Sequence, residues 1–251
     1  MINKIIPKTL EEIKIMTEGG EKLSKVKARL KKEVKEGVNA KEIDRLAEDL
    51  IIKSGGKSSF KMVKGYFWAT CININQGVVH GIPGKGVIFK KGDLVSVDLG
   101  IYYKGYHTDT SFSVGLEVGY ETKNFLEAGE TALVNAIDAA RVGNRIYDIS
   151  REIETVLRKN NLSPIRALVG HGIGKKLHED PQIPCFVSGE KSKSPEIPNN
   201  ATLAIEVMYC RGKGDVALSH DGWTIVTSDG TISALFEETI AVTKNGPIIL
   251  T

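Results

Sequence analysis

Apolar residues recur at helical spacing in four stretches of the chain and alternate with polar residues in several others. From Thr9 to residue 36, Leu10, Ile13, Met16 and Leu23 keep a broadly helical period, and Thr9-Leu-Glu-Glu12 has the form of a capping box. Gly37 closes that helix. A second starts at Asn39, with Ile43, Leu46, Leu50 and Ile51 as its buried stripe and Gly55-Gly56 as its stop. A third is predicted over 120–141, with Ala132, Leu133, Ala136, Ile137 and Ala140 inward, and a fourth over 146–160, carrying Ile149, Ile153, Val156 and Leu157. Strand-like runs lie at 71–75, 78–82, 94–103, 106–114, 201–209, 223–227 and 233–242, with turns at Pro83-Gly84, Lys104-Gly105 and Asp229-Gly230.

The second helix pair repeats the first. At one constant offset Gly37 matches Gly143, Glu42 matches Asp148, Ile43 matches Ile149, Glu48 matches Glu154 and Lys53 matches Lys159. The tripeptide His80-Gly-Ile82 recurs as His171-Gly-Ile173, and the 94–103 strand has a counterpart in 201–209. Ordered recurrence of three pieces predicts an internal duplication of a unit with two helices and several strands. The expected architecture is α+β, with helices covering a curved, mostly antiparallel sheet whose other face holds the site.

The run from Gly92 to Ser113 concentrates the chemistry. A turn centred on Lys104-Gly105 pairs Tyr103 with Tyr106, places Gly100 opposite Asp109 and places Asp98 opposite Ser111. Asp98 and Asp109 then project from one face as diagonal neighbours. Asp is depleted in strands, and two converging carboxylates need a raised pKa, a cationic side chain or a metal ion to offset their repulsion. Gly100 leaves a gap beside Asp109 that is read here as room for ions. His171 in a Gly-rich loop, Glu206 in a strand, and one of Glu237 and Glu238 complete the candidate set. Neighbours on a strand face opposite ways, so periodicity leaves 237 and 238 open. Four carboxylates and one imidazole do not make a structural zinc site; they suit two divalent ions, with Mn, Fe, Co or Zn compatible.

Composition narrows the setting. The 251 residues allow one large domain or two small ones, and a net charge of +3 does not argue for DNA. No apolar run approaches the roughly 20 residues of a membrane span. The opening Met1-Ile-Asn-Lys-Ile-Ile-Pro7 is too quickly polar for a signal peptide. Cys71, Cys185 and Cys210 are odd in number and widely spaced, so a reducing cytoplasm is expected. Lys22, Lys25, Lys27, Arg29, Lys31, Lys32 and Lys35 make the first helix basic, which fits a solvated face and equally a surface for an RNA-rich partner.

Nearly the whole chain, from Glu11 to Thr243, resembles the type I methionine aminopeptidases of the pita-bread fold. The motifs are Val79-His-Gly-Ile-Pro83, Gly92-Asp-Leu-Val-Ser-Val-Asp98, Gly105-Tyr-His-Thr-Asp-Thr110, Gly170-His-Gly-Ile-Gly174 followed by His178, Glu179 and Pro181, Ile205-Glu206, and Phe236-Glu-Glu-Thr-Ile240. The resemblance implies one catalytic domain over 1–251 with pseudo-twofold halves of about 1–118 and 119–251, and no N-terminal zinc-binding extension. It implies metal ligands at Asp98, Asp109, His171, Glu206 and Glu237, which chooses Glu237 over Glu238. The family's two other histidines fall on His80 and His178, as donors to the substrate carbonyl and the developing oxyanion. The implied reaction removes the N-terminal methionine of nascent chains, preferentially before a small residue. A hydroxide held between two divalent ions attacks the first peptide bond, and Glu206 shuttles the proton.

Tyr66, Cys71 and Trp223 match the family's apolar pocket wall. Phe60, Val63 and Leu177 stand where the family often has Cys, Tyr and Phe, so the wall stays apolar, its shape changes, and a relaxed first-position preference is expected. Taken alone, His80 is as readily structural as functional, and His107 is read as structural. A cysteine-hydrolase role for Cys71 ranks low, since a thiol has no need of four carboxylates. The implied partners are N-termini of nascent polypeptides, with transient ribosome contact through the basic helix as an option, and no DNA, no membrane and no obligate oligomer. The rival readings are a Xaa-Pro aminopeptidase or dipeptidase of the same fold, and a non-catalytic ribosome- or RNA-associated module.

Overall fold

Helix α1 (Leu10–Glu33) begins where the sequence places it. The Thr9 hydroxyl accepts from the Glu12 N–H at 3.2 Å, and the Glu12 carboxylate accepts from the Thr9 N–H at 2.8 Å. Leu10, one of the helically spaced apolar positions, is 76% exposed, and burial begins at Met16. Gly19 and Gly20 let the helix approach closely: a Cβ on Gly20 would lie 2.2 Å from the Leu250 carbonyl oxygen. The computed structural model describes residues 5–251, so the start of the Met1–Pro7 stretch read above lies outside it.

Helix α2 (Ala40–Lys53) follows, then β1 (Lys57–Ser58), β2 (Thr70–Ile74), β3 (Gly77–Val79), β4 (Leu94–Tyr103) and β5 (Tyr106–Gly115). The second half brings α3 (Tyr120–Ala139), α4 (Ile146–Lys159), β6 (Ser163–Pro164), β7 (Val169–Gly172), β8 (Glu179–Pro184), β9 (Thr202–Cys210), β10 (Val216–Leu218), β11 (Ile225–Thr227), β12 (Ser233–Thr243) and β13 (Gly246–Ile249). Ile43 and Ile51 of α2 are buried with Ala40 and Ala47, while Leu46 and Leu50 are half-buried.

Ten strands form an antiparallel sheet whose main path is β1-β4-β5-β12-β9-β7-β8; β2 pairs with β4, β6 with β9 and β13 with β12. The strands β10-β11-β3 form a small second sheet. Val97, Leu99 and Ile101 of β4 pack with α1 and α2, and Leu203, Ile205 and Val207 of β9 pack in the core that includes α3 and α4. The alternate residues of those strands face the other way, where the polar site lies.

The duplication is legible in the backbone. The Gly37 N–H donates to the Phe89 carbonyl at 2.8 Å, and the Gly143 N–H donates to the Ile197 carbonyl at 3.0 Å. Phe89 returns a bond to Val38, and Ile197 returns one to Asn144. Both glycines are left-handed, at φ 82° and 85°, where a Cβ is disfavoured. β5 and β12 pair at the centre, each flanked by the matching strands β4 and β9. The repeated His-Gly-Ile tripeptide is not part of this symmetry. His171 lies within β7, whereas His80 follows β3 outside the large sheet, so that recurrence marks no equivalent position.

Candidate metal centre

The hairpin has the register its turn dictates. Tyr103 pairs with Tyr106, Gly100 with Asp109 and Asp98 with Ser111. Lys104 and Gly105 sit at φ 47° and 96°, both left-handed, as a two-residue hairpin turn that matches the strand twist requires. The pairing continues across the sheet. Cys71 faces Asp98, Ser111 faces Glu237, and Glu237 faces Glu206, so one row crosses β2, β4, β5, β12 and β9. The next row runs through Gly100 and Asp109 to Thr239, Ala204 and His171; the Asp109 N–H donates to the Thr239 hydroxyl at 2.8 Å. Opposed residues share a face, so all five candidate ligands point to one side.

One potential ligand atom from each of Asp109, His171 and Glu237 lies within 4.8 Å of the others. Glu206 approaches the same place, with Oε1 3.5 Å from His171 Nε2. Glu238 goes to the opposite face. There its carboxylate takes the Lys27 ammonium at 2.6 Å and the Thr251 hydroxyl at 2.7 Å. Lys27 is therefore not part of the solvated basic face of α1, while Lys25, Arg29, Lys31 and Lys32 are exposed.

Buried carboxylates without cationic partners should resist ionisation, and these do. Burial pushes Asp98 up to about 8. Asp109 is raised by burial and then by Asp98 and Glu206; Glu237 is raised by burial and then by Asp109 and Glu206; Glu206 is raised by burial and then by Asp98. Asp98 borders the cavity, but its Oδ1 is buried with no hydrogen-bond partner among the described residues, and so is Glu237 Oε1. His171 is held neutral, its pKa pulled down to about 3 by burial and then by His178. Its Nδ1 lies 2.9 Å from the Gly172 carbonyl oxygen, which can only accept. The proton is thus on Nδ1, and Nε2 turns a lone pair toward the carboxylates. Orphaned carboxylate oxygens and an oriented imidazole fit a divalent cation.

The carboxylates help line a cavity of about 170 Å³. Phe60, Val63, Tyr66, Cys71, Leu177 and Trp223 line its apolar side. Tyr66 packs edge-on against Trp223 with centroids 5.1 Å apart, and against Phe60 at 6.5 Å. His80 and His178 stand where this cavity meets a wider groove of about 910 Å³, whose walls include Ile6, Pro7 and Lys8. Both side chains are exposed to the groove, yet desolvation by its walls lowers the pKa of each, so each is a neutral donor or acceptor near pH 7. Burial and the neighbouring Asp98 charge push the Cys71 thiol well up, which removes the thiolate a cysteine hydrolase needs. His107 is buried, with Nδ1 2.9 Å from the Ser59 hydroxyl, and burial lowers its pKa to about 4.

Gly100 does not leave a gap for ions. A Cβ there would meet Ser59 Cβ at 2.9 Å and Asp109 Oδ1 at 3.2 Å, so glycine admits Ser59 instead. Sequence reasoning missed Ser59, and it missed Asp44. The Asp44 carboxylate accepts from Ala69 N–H, Thr70 N–H and the Thr70 hydroxyl, which fixes the entry to β2 and Cys71. An Asp between Ile43 and Ala47 on the inner face of α2 was the available signal.

The geometry has close counterparts. The model of metallopeptidase family M24 matches residues 14–244. A methionine aminopeptidase of Clostridium perfringens is 40% identical over 248 residues, covering 98% of each chain. The crystal structure of a methionine aminopeptidase from Thermotoga maritima superposes with a TM-score of 0.95 at 37% identity, over 98% of this chain and 99% of that one. A prolidase from Pyrococcus furiosus shares the fold at a TM-score of 0.78 and 22% identity; this chain covers 65% of its length.

Proposed function

The chain belongs to metallopeptidase family M24 and is a metal-dependent aminopeptidase, and from that premise we propose that it removes the N-terminal methionine of nascent proteins and peptides, preferentially before a small residue. The observation that carries this reading is one small cavity lined jointly by apolar side chains and by Asp98, Asp109, His171, Glu206 and Glu237. A side chain seated between Tyr66, Cys71 and Trp223 brings the substrate's free amine and first peptide bond to the carboxylates. The rest of the chain must leave by the groove.

Asp98, Asp109, His171, Glu206 and Glu237 are the proposed ligands of two divalent ions, drawn from Co, Mn, Fe or Zn. Such ions supply a Lewis acid for the carbonyl and bring the pKa of water toward neutrality. Glu206, which lies beside His171 and borders the groove, is the proposed group that accepts a proton from the attacking water and returns it to the leaving amine. His178 and His80 donate hydrogen bonds to the carbonyl oxygen and the charge that develops on it.

The two pseudo-symmetric halves act as one catalytic unit, since Asp98 and Asp109 come from the first and His171, Glu206 and Glu237 from the second. We place the protein in the cytoplasm as a monomer acting on emerging N-termini, with the exposed lysines of α1 free for transient ribosome contact. No helix among the described residues is long and apolar enough to cross a membrane. The test is hydrolysis of Met-Ala-Ser against Xaa-Pro peptides, with and without added Mn or Co. Methionine release from the first that depends on the metal is expected. Failure to release methionine under any metal refutes the reading, and cleavage of Xaa-Pro alone would favour the prolidase-like rival.

A further inference from the structure

His80 carries a backbone conformation that needs external support. Its φ is 59°, in the left-handed region that a residue with a Cβ rarely adopts. Beyond it the chain runs back against β2 so closely that a Cβ on Gly81 would lie 2.1 Å from the Ile72 carbonyl oxygen and 2.6 Å from Asn73 Oδ1. The Gly81 carbonyl accepts from the Ile72 N–H at 2.9 Å and lies 3.3 Å from the Tyr66 hydroxyl, whose single proton it shares with the nearer Thr70 carbonyl at 2.9 Å. The peptide plane between His80 and Gly81 is held by a side chain, the Asn73 Oδ1, which accepts from the Gly81 N–H at 3.0 Å.

Asn73 is an expensive residue to keep there. It is 2% exposed, and with Oδ1 committed to Gly81 its Nδ2 has no partner among the described residues. A buried donor without a partner costs stability, so what keeps an amide at this position is the bond its Oδ1 takes from the Gly81 N–H. Its neighbour in β2 two residues earlier is Cys71, which lines the cavity.

We propose that Asn73 is a positioning residue, which fixes the His80–Gly81 peptide plane and so aims the His80 imidazole at the substrate. The proposal rests on the reading of His80 as a group that contacts substrate. Tyr66 ties the same segment to the cavity wall, so the apolar pocket and the imidazole share one backbone anchor.

The experiment compares metal-loaded wild type, Asn73→Leu, His80→Ala and the double variant on Met-Ala-Ser. Leucine keeps the branching of the side chain and removes the acceptor. The expected result for Asn73→Leu is a fall in kcat of roughly tenfold to a hundredfold, as for a misplaced catalytic group. KM and metal affinity stay within about twofold, while the unfolding midpoint falls modestly because the buried Gly81 N–H loses its acceptor. The double variant is expected to be no slower than His80→Ala, because two residues acting through one group are not additive. In metal-free protein the His80 ring signals in NMR shift in Asn73→Leu while those of His107 stay in place. Asn73→Asp, which keeps an acceptor, recovers most of the rate.

Wild-type kcat in Asn73→Leu overturns the proposal, and so does a loss that multiplies with that of His80→Ala. A wild-type rate in His80→Ala also overturns it, by removing the role of His80 while leaving methionine release intact. If no variant or wild type releases methionine, the functional reading itself has failed. Should Asn73→Leu not fold, Asn73→Ala assayed at reduced temperature is judged by the same criteria.

Discussion

Replacing Asp98 by Asn tests whether the metal site is built at the expense of the metal-free fold. A carboxyl has a pKa of 3.8 in the unfolded chain, and burial raises that of Asp98 to about 8 in the folded one. Its folded-state pKa lies above the unfolded value, so its contribution is fully present in acid and is lost as pH rises through the folded pKa. Between those values the unfolded chain has released the proton and the native chain has kept it. Stability then falls by about 1.4 kcal/mol per pH unit, or about 4 kcal/mol from pH 4 to pH 7. That is large against the roughly 5–15 kcal/mol that separates folded from unfolded domains. Asparagine has the same shape and no proton to lose. Urea unfolding with a chelator present, repeated from pH 4 to pH 7, should show Asp98→Asn close to wild type in acid and more stable by up to about 4 kcal/mol at neutrality. Adding Mn should reverse the order, since an ion that binds only the folded state stabilises wild type more than the variant. Parallel pH profiles for the two proteins would refute the reasoning.

Two further outcomes follow from the same geometry. His178→Ala should lower kcat on Met-Ala-Ser by roughly 10²–10³ while leaving metal affinity by calorimetry unchanged, as expected for an oxyanion donor that is not a ligand. Lys27→Met should destabilise the protein by about 2 kcal/mol, between the value of an exposed pair and that of a fully buried one, because it strands the Glu238 carboxylate beneath the helices. A chemical-denaturation midpoint indistinguishable from wild type would show that pair to be solvated.

Where sequence and structure agree, the cause is local geometry. Strand alternation plus a two-residue turn fixes which side chains share a face, and nothing distant is needed to place Asp98 and Asp109 together. The choice between Glu237 and Glu238 is different in kind. β12 is covered on both faces, so its neighbours are apolar in either direction and carry no pattern. The Leu10 exposure and the filled space at Gly100 have the same origin. Each depends on which remote segments pack there: none covers Leu10, and Ser59 fills the space at Gly100.

The sequence by itself determined the four helices, the hairpin register, the duplicated halves and the list of chemistry-bearing residues, because capping, turn chemistry and periodicity act over a few residues. Only the tertiary structure decided how the two halves meet. Pairing β5 with β12 joins two aspartates from one half to a histidine and two glutamates from the other, over separations in sequence that no local pattern spans. It also decided the price of that meeting, buried carboxylates without partners and an asparagine with half its amide unmatched, since burial and the lack of a partner are properties of packing alone.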